Sequence, residues 1–339
     1  MSPDRTRSPA EVEAVALERR PAPVVRTVHV VCVVCGADEA RRYREDMYRI
    51  GEVRFGLVRC RCGMVYVDPR PDGPSIGLMY ADPEYYTDGY NLGVETENYF
   101  DRKDELVEQY TRTAEELARE VGHKGDLLEL GSAGGFFLEG ARRAGFRVRG
   151  VELSPGAVEY SRRELGHEVF EGLLEEAPWK DASFDVAYAD NVLEHTTDPI
   201  GVLRKLRALL RPGGHLVVIV PSYVNSPYFR AMLLARAVIP QALLGKHLLR
   251  LLKFDPDYDG GYPYHILEFD RATLSKVVEK AGFRIVSVEA SVPLPAHLFK
   301  RADLSLRERA LKGVFSTLDR AMRAGVAPGA RIRLVAKRD

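Results

Sequence analysis

The 339-residue chain is long enough for two domains, or for one domain with attachments, and its 45% hydrophobic residues can form a large core. Lys and Arg together number 49, as do Asp and Glu. This composition excludes disorder as the dominant state, and no run reaches the roughly 18 uncharged apolar residues of a membrane-spanning helix. The first thirty residues lack the apolar segment of a secretory signal, so we expect a cytoplasmic protein.

Four regions are predicted along the chain. Residues 1–27 form a polar, flexible arm with one short helix predicted over 9–19. Residues 28–71 form a small module with β-type runs at Val30–Val34 and Leu57–Val67. A linker or cap follows at 72–100, and an α/β domain at 101–339 carries an insertion at 222–266.

All four cysteines fall in the small module, as Cys32-x-x-Cys35-Gly36 and Cys60-x-Cys62-Gly63. A glycine after each pair frees backbone N–H groups to bond the sulfurs, which favours a structural zinc ion held by four thiolates in a ribbon-like module. Disulfides, redox activity and free thiols stay open as alternatives.

From residue 101 onward, short apolar strands alternate with helices. The predicted helices cover 101–121, 135–144, 155–165, 200–210, 271–281 and 304–323; the predicted strands cover 126–130, 147–151, 168–170, 184–189, 215–220, 283–290 and 331–336. This alternation predicts an α/β fold with a doubly wound parallel sheet. Ligands of such sheets lie at the carboxyl ends of the strands.

A glycine-rich turn follows the first predicted strand of this domain. Gly131, Gly134 and Gly135 allow close approach of a ligand to the backbone, and the next strand ends at Glu152, where an acid can hold a ribose diol. Glu129, just before the turn, would repel a pyrophosphate. S-adenosylmethionine (SAM) fits better, since it has a sulfonium, an amino group and a ribose but no phosphate.

These motifs resemble those of the class I SAM-dependent methyltransferases, which implies SAM as cofactor and a Rossmann-like sheet of seven strands. Further likenesses lie at Ser183–Val186 and Leu210–Leu216. Ala133 stands where the family usually has glycine. The resemblance implies a cofactor site of Glu129, Gly131, Ser132, Ala133, Gly135, Glu152, Leu153, Gly172, Leu173, Asp190 and Asn191, with Leu153, Gly172 and Leu173 beside the adenine, and Asp190 and Asn191 at the methionine end. The run Leu57–Arg70 resembles the zinc-binding segment of a bacterial group that includes sugar C-methyltransferases.

Two histidines are the catalytic candidates. His195 follows the predicted strand 184–189, and His265 precedes the predicted helix 271–281. Either could serve as the base that a hydroxyl acceptor needs, although a packing role for His195 stays open. Some relatives bind a divalent metal on an E-x-x-E-H motif, but Asn191 replaces its first acid here, so a metal mechanism on Glu194, His195 and His265 is disfavoured.

The insertion contains a basic, apolar segment, residues 228–254, with five Lys or Arg residues and no acid. It could form a lid over an apolar acceptor, a peripheral contact with anionic lipid at the inner membrane face, a buried pair of cap helices or a homodimer contact. Residues 271–339 are also basic, with 15 Lys and Arg against 6 Asp and Glu.

The sequence therefore predicts methyl transfer to a small-molecule, lipid-linked or glycan acceptor in bacterial biosynthesis, with O-methylation favoured over C- or N-methylation and an anionic acceptor favoured by the basic C-terminal third. An RNA methyltransferase with a zinc module is the alternative. Nucleic acid is disfavoured because the module at 28–71 has 8 Arg against 6 Asp and Glu, too even a balance for a basic face. A non-catalytic SAM-binding protein is a third hypothesis.

Overall fold

Three β-sheets and seven α-helices are found in the part of the chain that the computed structural model describes, which is residues 25–50, 52–80, 99–222, 224, 265–291, 306–323 and 329–339. The predicted helix over 9–19 and the insertion segment 228–254 lie outside these residues, so their interpretation stays a prediction. Within the described residues, no helix is long and apolar enough to cross a membrane.

The cysteine module consists of short antiparallel strands. Its elements are β1 (Thr27–Val28), β2 (Ala40–Ile50), β3 (Val53–Cys60), β4 (Val65–Val67), β5 (Arg70–Pro71) and α1 (Gly73–Tyr80). Strand β3 pairs with β2 and β4, and β1 pairs with β5. The predicted run Leu57–Val67 is therefore divided by a turn after Cys60.

The predicted strand Val30–Val34 is wrong. The chain turns tightly there, with the Gly36 N–H donating to the Cys32 carbonyl at 2.7 Å and the Cys32 N–H donating to the Ala37 carbonyl at 2.9 Å. The run is apolar because Cys32 and Val34 are buried in the core, not because it forms a sheet. Strand β2 was not predicted, since its charged sequence lacks regular alternation.

The α/β domain follows the predicted order, and most ends agree within two residues. It starts with a 3-10 turn, Tyr99–Arg102. The elements are α2 (Lys103–Val121), β6 (Asp126–Leu130), α3 (Phe136–Arg143), β7 (Arg147–Glu152), α4 (Pro155–Leu165), β8 (Val169–Glu171), β9 (Phe184–Asp190), α5 (Pro199–Leu209), β10 (Leu210–Pro221), β11 (Leu267–Glu268), α6 (Arg271–Lys280), β12 (Arg284–Ser291), α7 (Leu306–Arg323) and β13 (Arg331–Lys337). Strand β10 begins earlier than predicted, because Leu210 already pairs with Phe184 before a bulge leads to His215.

Seven of these strands form one sheet in the order β12-β13-β10-β9-β6-β7-β8. Only β13 runs against the others. Alternate residues face opposite layers: Leu127 and Val186 pack with α2 and α3, whereas Leu128 and Ala187 pack with α5 and α6. The predicted doubly wound sheet of seven strands is confirmed, but it is mixed and not wholly parallel, because β13 is antiparallel to β10 and β12. Its order reverses at β6 and β9, whose carboxyl ends therefore border the ligand crevice.

Candidate active site and four-cysteine centre

The glycine loop after β6 is a tight turn held against β7. The Gly131 and Ser132 N–H groups both donate to the Val151 carbonyl, at 2.8 and 3.1 Å. Gly131 and Gly135 have φ angles of 71° and 81°, and a Cβ on Gly135 would lie 2.2 Å from Ser161 Oγ. Ala133 has a φ of 46°, which an L-residue with a Cβ adopts at a cost. Ala133 thus has a backbone conformation that favours glycine, which is the usual residue at this position in the family that the motifs resemble.

Glu152, at the end of β7, binds the glycine loop through its carboxylate. Its Oε2 accepts the Ala133 N–H at 2.8 Å, and its Oε1 accepts the N–H groups of Leu153 and Ser154 at 2.8 and 2.9 Å. The Gly172 N–H donates to the Glu152 carbonyl at 3.0 Å. One acid therefore fixes the positions of the glycine loop and of the loop after β8.

Two leucines beside Glu152 are exposed although they are large and apolar. Leu153 is 44% exposed and Leu173 is 52% exposed, and they follow the neighbouring strands β7 and β8. An exposed apolar pair at the carboxyl edge of a parallel sheet is suited to covering a flat ring such as adenine.

The other end of the crevice is lined by buried acids. Glu129 Oε2, Ser132 Oγ and Asp190 Oδ1 are buried and have no hydrogen-bond partner among the described residues. Burial, together with the charges of Asp190 and Glu152, holds the pKa of Glu129 well above its usual range. Asp190 Oδ2 accepts hydrogen bonds from Arg331 at 2.6 Å and from the Tyr188 hydroxyl at 3.4 Å. Unpartnered buried acceptors of this kind fit a ligand with an ammonium group and a sulfonium, as SAM has.

The two predicted histidines meet at the same edge of the sheet. Asn191, with a φ of 54°, directly follows β9 and donates its N–H to the Ile219 carbonyl at 2.9 Å. The turn Leu193–His195 follows, and the His195 and His265 ring centres lie 4.9 Å apart. The Ile266 N–H donates to the Glu194 carbonyl at 3.0 Å, which joins the two histidine segments.

Two buried carboxyl groups flank this histidine pair. Glu194 is fully buried, neither carboxylate oxygen has a hydrogen-bond partner among the described residues, and Oε1 lies 3.6 Å from His195 Nε2. Glu268 Oε1 lies 4.0 Å from His265 Nδ1. Burial raises the pKa of Glu194 well above its usual range and raises that of Glu268 to about 8. Glu194, His195 and His265 each offer a ligand atom, and these atoms lie within 4.8 Å of one another, so the group can act on protons or hold a divalent cation.

The four cysteines converge in the small module. Sγ of Cys32 lies 3.5 Å from that of Cys62, Sγ of Cys35 lies 3.4 Å from that of Cys60, and all four lie within 4.8 Å. Thiolates on one tetrahedral zinc ion are about 3.8 Å apart, whereas a disulfide needs about 2.05 Å. Burial opposes ionisation of Cys35, but the Ala37 N–H and the neighbouring thiols outweigh it and lower its pKa to about 7. The donors therefore fit Zn²⁺.

Comparison with known proteins assigns the α/β domain. Residues 100–288, more than half of the chain, match the methyltransferase domain family. The chain belongs to this family. The matched part of the methyltransferase domain runs from the turn before α2 into β12, so it contains the glycine loop, Glu152 and both histidines but not the cysteines.

Curated relatives match part of the chain. A probable S-adenosylmethionine-dependent methyltransferase of Mycolicibacterium smegmatis is 27% identical over 195 residues, 57% of this chain and 62% of that protein. A ubiquinone biosynthesis O-methyltransferase of Ralstonia nicotianae is 32% identical over 127 residues, 36% of this chain and 53% of that protein. The chain thus spans about half to three fifths of these relatives. A solved SAM-dependent methyltransferase from Archaeoglobus fulgidus is 17% identical with a TM-score of 0.44, covering 71% of this chain and 100% of that one.

Three residues of the methyltransferase site were not predicted from the sequence. Tyr48 belongs to the cysteine module, Glu268 lies three residues after His265, and Arg331 begins the last strand. Glu268 could have been identified from the sequence, because it is a charged residue within the apolar run Ile266–Phe269. For Tyr48 and Arg331 the sequence offered no such signal, because their contacts with Glu268 and Asp190 span 220 and 141 residues.

Proposed function

We propose that this protein is a SAM-dependent methyltransferase that methylates an oxygen of a small-molecule, lipid-linked or glycan acceptor. The observation that carries the proposal is the meeting of His195 and His265 at the same sheet edge as the acid-lined glycine loop. The likeness to a ubiquinone biosynthesis O-methyltransferase supports the choice of oxygen.

On the donor side, each residue has a role that suits SAM. We assign the ribose hydroxyls to the Glu152 carboxylate and the adenine to Leu153, Gly172 and Leu173. The amino group is assigned to the acids at the methionine end, Glu129 and Asp190, with Ser132 and Asn191 beside them. When bound, SAM supplies a methyl group on a positively charged sulfur, which leaves as a neutral thioether.

On the acceptor side, a hydroxyl must lose its proton as its oxygen bonds to the methyl carbon. The C–S bond breaks as the C–O bond forms, and the electron pair stays on sulfur. We assign His265 as the base that takes the proton and His195 as its neighbour that orients the acceptor or shares this task. The excess of Lys and Arg over Asp and Glu in residues 271–339 supports an anionic acceptor.

A divalent metal on Glu194, His195 and His265 is the second candidate mechanism. The fully buried Glu194 carboxylate, which has no hydrogen-bond partner in the described part of the chain, favours this mechanism, whereas Asn191 at the position of the first acid weakens it. If His265 acts as a base, chelation should lower methyl transfer only by removing zinc from the cysteine module, and added Zn²⁺ should restore it. A metal mechanism predicts that transfer is lost and is restored by Mg²⁺ or Mn²⁺ but not by Zn²⁺.

For the cysteine module we propose one structural zinc ion. Cys32, Cys35, Cys60 and Cys62 would hold it as thiolates, and four sulfur ligands leave no open position for catalysis. The zinc therefore serves folding and placement of the module.

SAM binding is tested by calorimetry on Glu152→Ala. We expect Kd to rise about 100-fold, because the variant loses charge-assisted hydrogen bonds to the ribose. Glu171→Ala is the matched control, since Glu171 is an exposed acid that pairs with Glu152 in the sheet register. Glu152→Gln keeps one of the two oxygen acceptors that bond the backbone and removes the charge, so it should weaken binding less than Glu152→Ala does. Unchanged binding in folded Glu152→Ala would remove the assignment.

The acceptor is sought by incubating cell extracts with SAM that carries a CD₃ group. We expect a product heavier by three mass units in the organic or small-molecule fraction, which His265→Asn reduces at least tenfold. Label confined to RNA would favour the RNA methyltransferase instead. No labelled product in any fraction would contradict catalytic transfer and leave the SAM-binding hypothesis.

A further inference from the structure

The strand after His265 completes the sheet of the cysteine module. Strand β11 pairs antiparallel with β4, with Leu267 opposite Tyr66 and Glu268 opposite Val65. The Val67 N–H also donates to the Ile266 carbonyl at 3.0 Å. The segment that carries His265 is therefore hydrogen-bonded to both the cysteine module and the methyltransferase domain, because the Ile266 N–H donates to the Glu194 carbonyl of that domain.

The module also reaches this segment with a side chain. The Tyr48 hydroxyl, on β2, donates to Glu268 Oε1 at 3.4 Å, and the same oxygen lies 4.0 Å from His265 Nδ1. Glu268 is fully buried, so its carboxyl group has a fixed orientation set by the groups packed around it. Glu268 thus lies between Tyr48 of the module and His265, the candidate base.

The cysteine ligands lie close to this junction. Strand β4 starts two residues after Gly63, the glycine that follows Cys62, and the Cys60 N–H donates to the Met64 carbonyl at 2.9 Å. The module and the segment around β11 share one hydrophobic core. It contains Cys32, Cys60, Met64 and Tyr66 of the module together with Ile266, Leu267, Phe269 and residues of α6. The Lys280 ammonium, at the end of α6, also donates to the Val34 carbonyl of the cysteine turn. The position of β4 is thus tied to the cysteine turn before it and to β11 beside it.

We propose that the cysteine module is a positioning element of the acceptor side: β4 and the Tyr48 hydroxyl hold Glu268, and Glu268 orients the His265 imidazole. This inference rests on the proposed function for what His265 does, but the geometry it describes can be measured without catalysis. Tyr48 and Glu268 are positioning residues, because they act through His265.

The first test follows the His265 ring directly, by NMR of protein labelled with [¹³C]histidine, with the signal assigned through His265→Asn. In Tyr48→Phe we expect the His265 signal to move by more than its linewidth while the signals of His123 and His215 stay in place. Label transfer from CD₃-SAM should fall about 3- to 10-fold, the effect of losing one hydrogen bond, with the Kd for SAM unchanged. Tyr43→Phe is the matched control, since Tyr43 is also on β2 and its hydroxyl donates at 3.4 Å, to Val224.

The second test removes the metal from the whole protein with EDTA and follows hydrogen exchange by mass spectrometry, with bound zinc measured in parallel. We expect amides of residues 266–268 to exchange at least tenfold faster after zinc leaves, while those of β6 keep their protection. Calorimetry should still give the same Kd for SAM, because the backbone hydrogen bonds that hold the glycine loop run to Val151 and Glu152 and within the loop itself.

The two proposals fail in different ways. A labelled product together with an unmoved His265 signal in Tyr48→Phe and unchanged exchange at 266–268 without zinc would overturn the positioning role. Full protection at 266–268 in a preparation that never held zinc would overturn the zinc dependence in the same way. An absence of labelled product with a displaced His265 signal would instead overturn the proposed function and leave the positioning role intact.

Discussion

The cofactor side and the acceptor side of the site are built differently. The cofactor side comes from four neighbouring strands, β9, β6, β7 and β8, and the loops that directly follow them. The acceptor side joins Tyr48, Glu194, His265 and Glu268 from distant parts of the chain, and Arg331 connects to Asp190 at the boundary. Local sequence thus defines one side, and tertiary packing defines the other.

The two sides also differ in the groups that determine their structure. Backbone N–H groups, left-handed glycines and the Glu152 carboxylate give the glycine loop of the cofactor side its form. Buried carboxyl groups lie on both sides, and such groups are costly to bury and sensitive to their neighbours. Those of the acceptor side, Glu194 and Glu268, are buried more deeply than Glu129 and Glu152, so substitutions should affect stability and its pH dependence more on the acceptor side.

The largest expected effect is the pH dependence caused by Glu268. Its pKa is about 8 in the folded protein, above the ordinary value near 4.5, so the folded state holds the proton more tightly. This stabilisation is complete below about pH 4.5 and is lost as pH rises through 8, which lowers the free energy of unfolding by about 3–5 kcal/mol. Urea denaturation from pH 5 to 8 should show a smaller decline in Glu268→Gln than in the wild type. An equal decline with pH in the two proteins would mean that Glu268 is accessible to solvent and has an ordinary pKa.

A smaller effect is expected at the boundary between the two sides. Arg331→Gln leaves the Asp190 carboxylate without its cation, so we expect a loss of about 1–3 kcal/mol in the free energy of unfolding and a change of a few fold in the Kd for SAM. Arg333→Gln, two residues along β13, breaks the ion pair with Glu120 on α2 and should cost less than 1 kcal/mol with no change in SAM binding. Equal effects on SAM binding would mean that Arg331 is not part of the crevice.

The smallest effect concerns the one non-glycine residue of the glycine loop with a positive φ. Ala133→Gly removes a Cβ from a left-handed conformation and should raise the free energy of unfolding by about 0.5–1 kcal/mol, as measured by thermal or urea unfolding. Ala208→Gly, inside α5, should lower it by a similar amount, because there glycine only loosens a helix. A loss of stability in Ala133→Gly would mean that the loop relaxes to avoid the strain.

The same contrast explains what the sequence could predict. Parallel strands such as β6 and β9 were predicted within a residue, because both faces are buried and turns mark their ends. Strand β2 was missed because it is an edge strand whose arginines face solvent or lie along the sheet surface. The run Val30–Val34 was assigned to a strand because an apolar run alone does not distinguish a strand from a buried turn.

For the site, motifs alone predicted the glycine loop and Glu152, since their spacing is local, and the structure places both at the carboxyl ends of β6 and β7. His195 and His265 were each proposed separately, and the structure brings them together. The sequence could not predict that Glu268 lies beside His265. Their 4.0 Å separation depends on the position of β11, and β11 pairs with β4 of the cysteine module.

The pairing of β4 with β11 also bears on how the chain is made. Leu267 follows Val67 by 200 residues, so during synthesis β4 leaves the ribosome long before the strand that completes its sheet. Until then one edge of the nascent sheet has unpaired backbone groups, a state prone to wrong pairing. If the four cysteines bind zinc as proposed, its early capture would keep β3 and β4 in register through that interval, and zinc supply would then limit the yield of correctly folded protein.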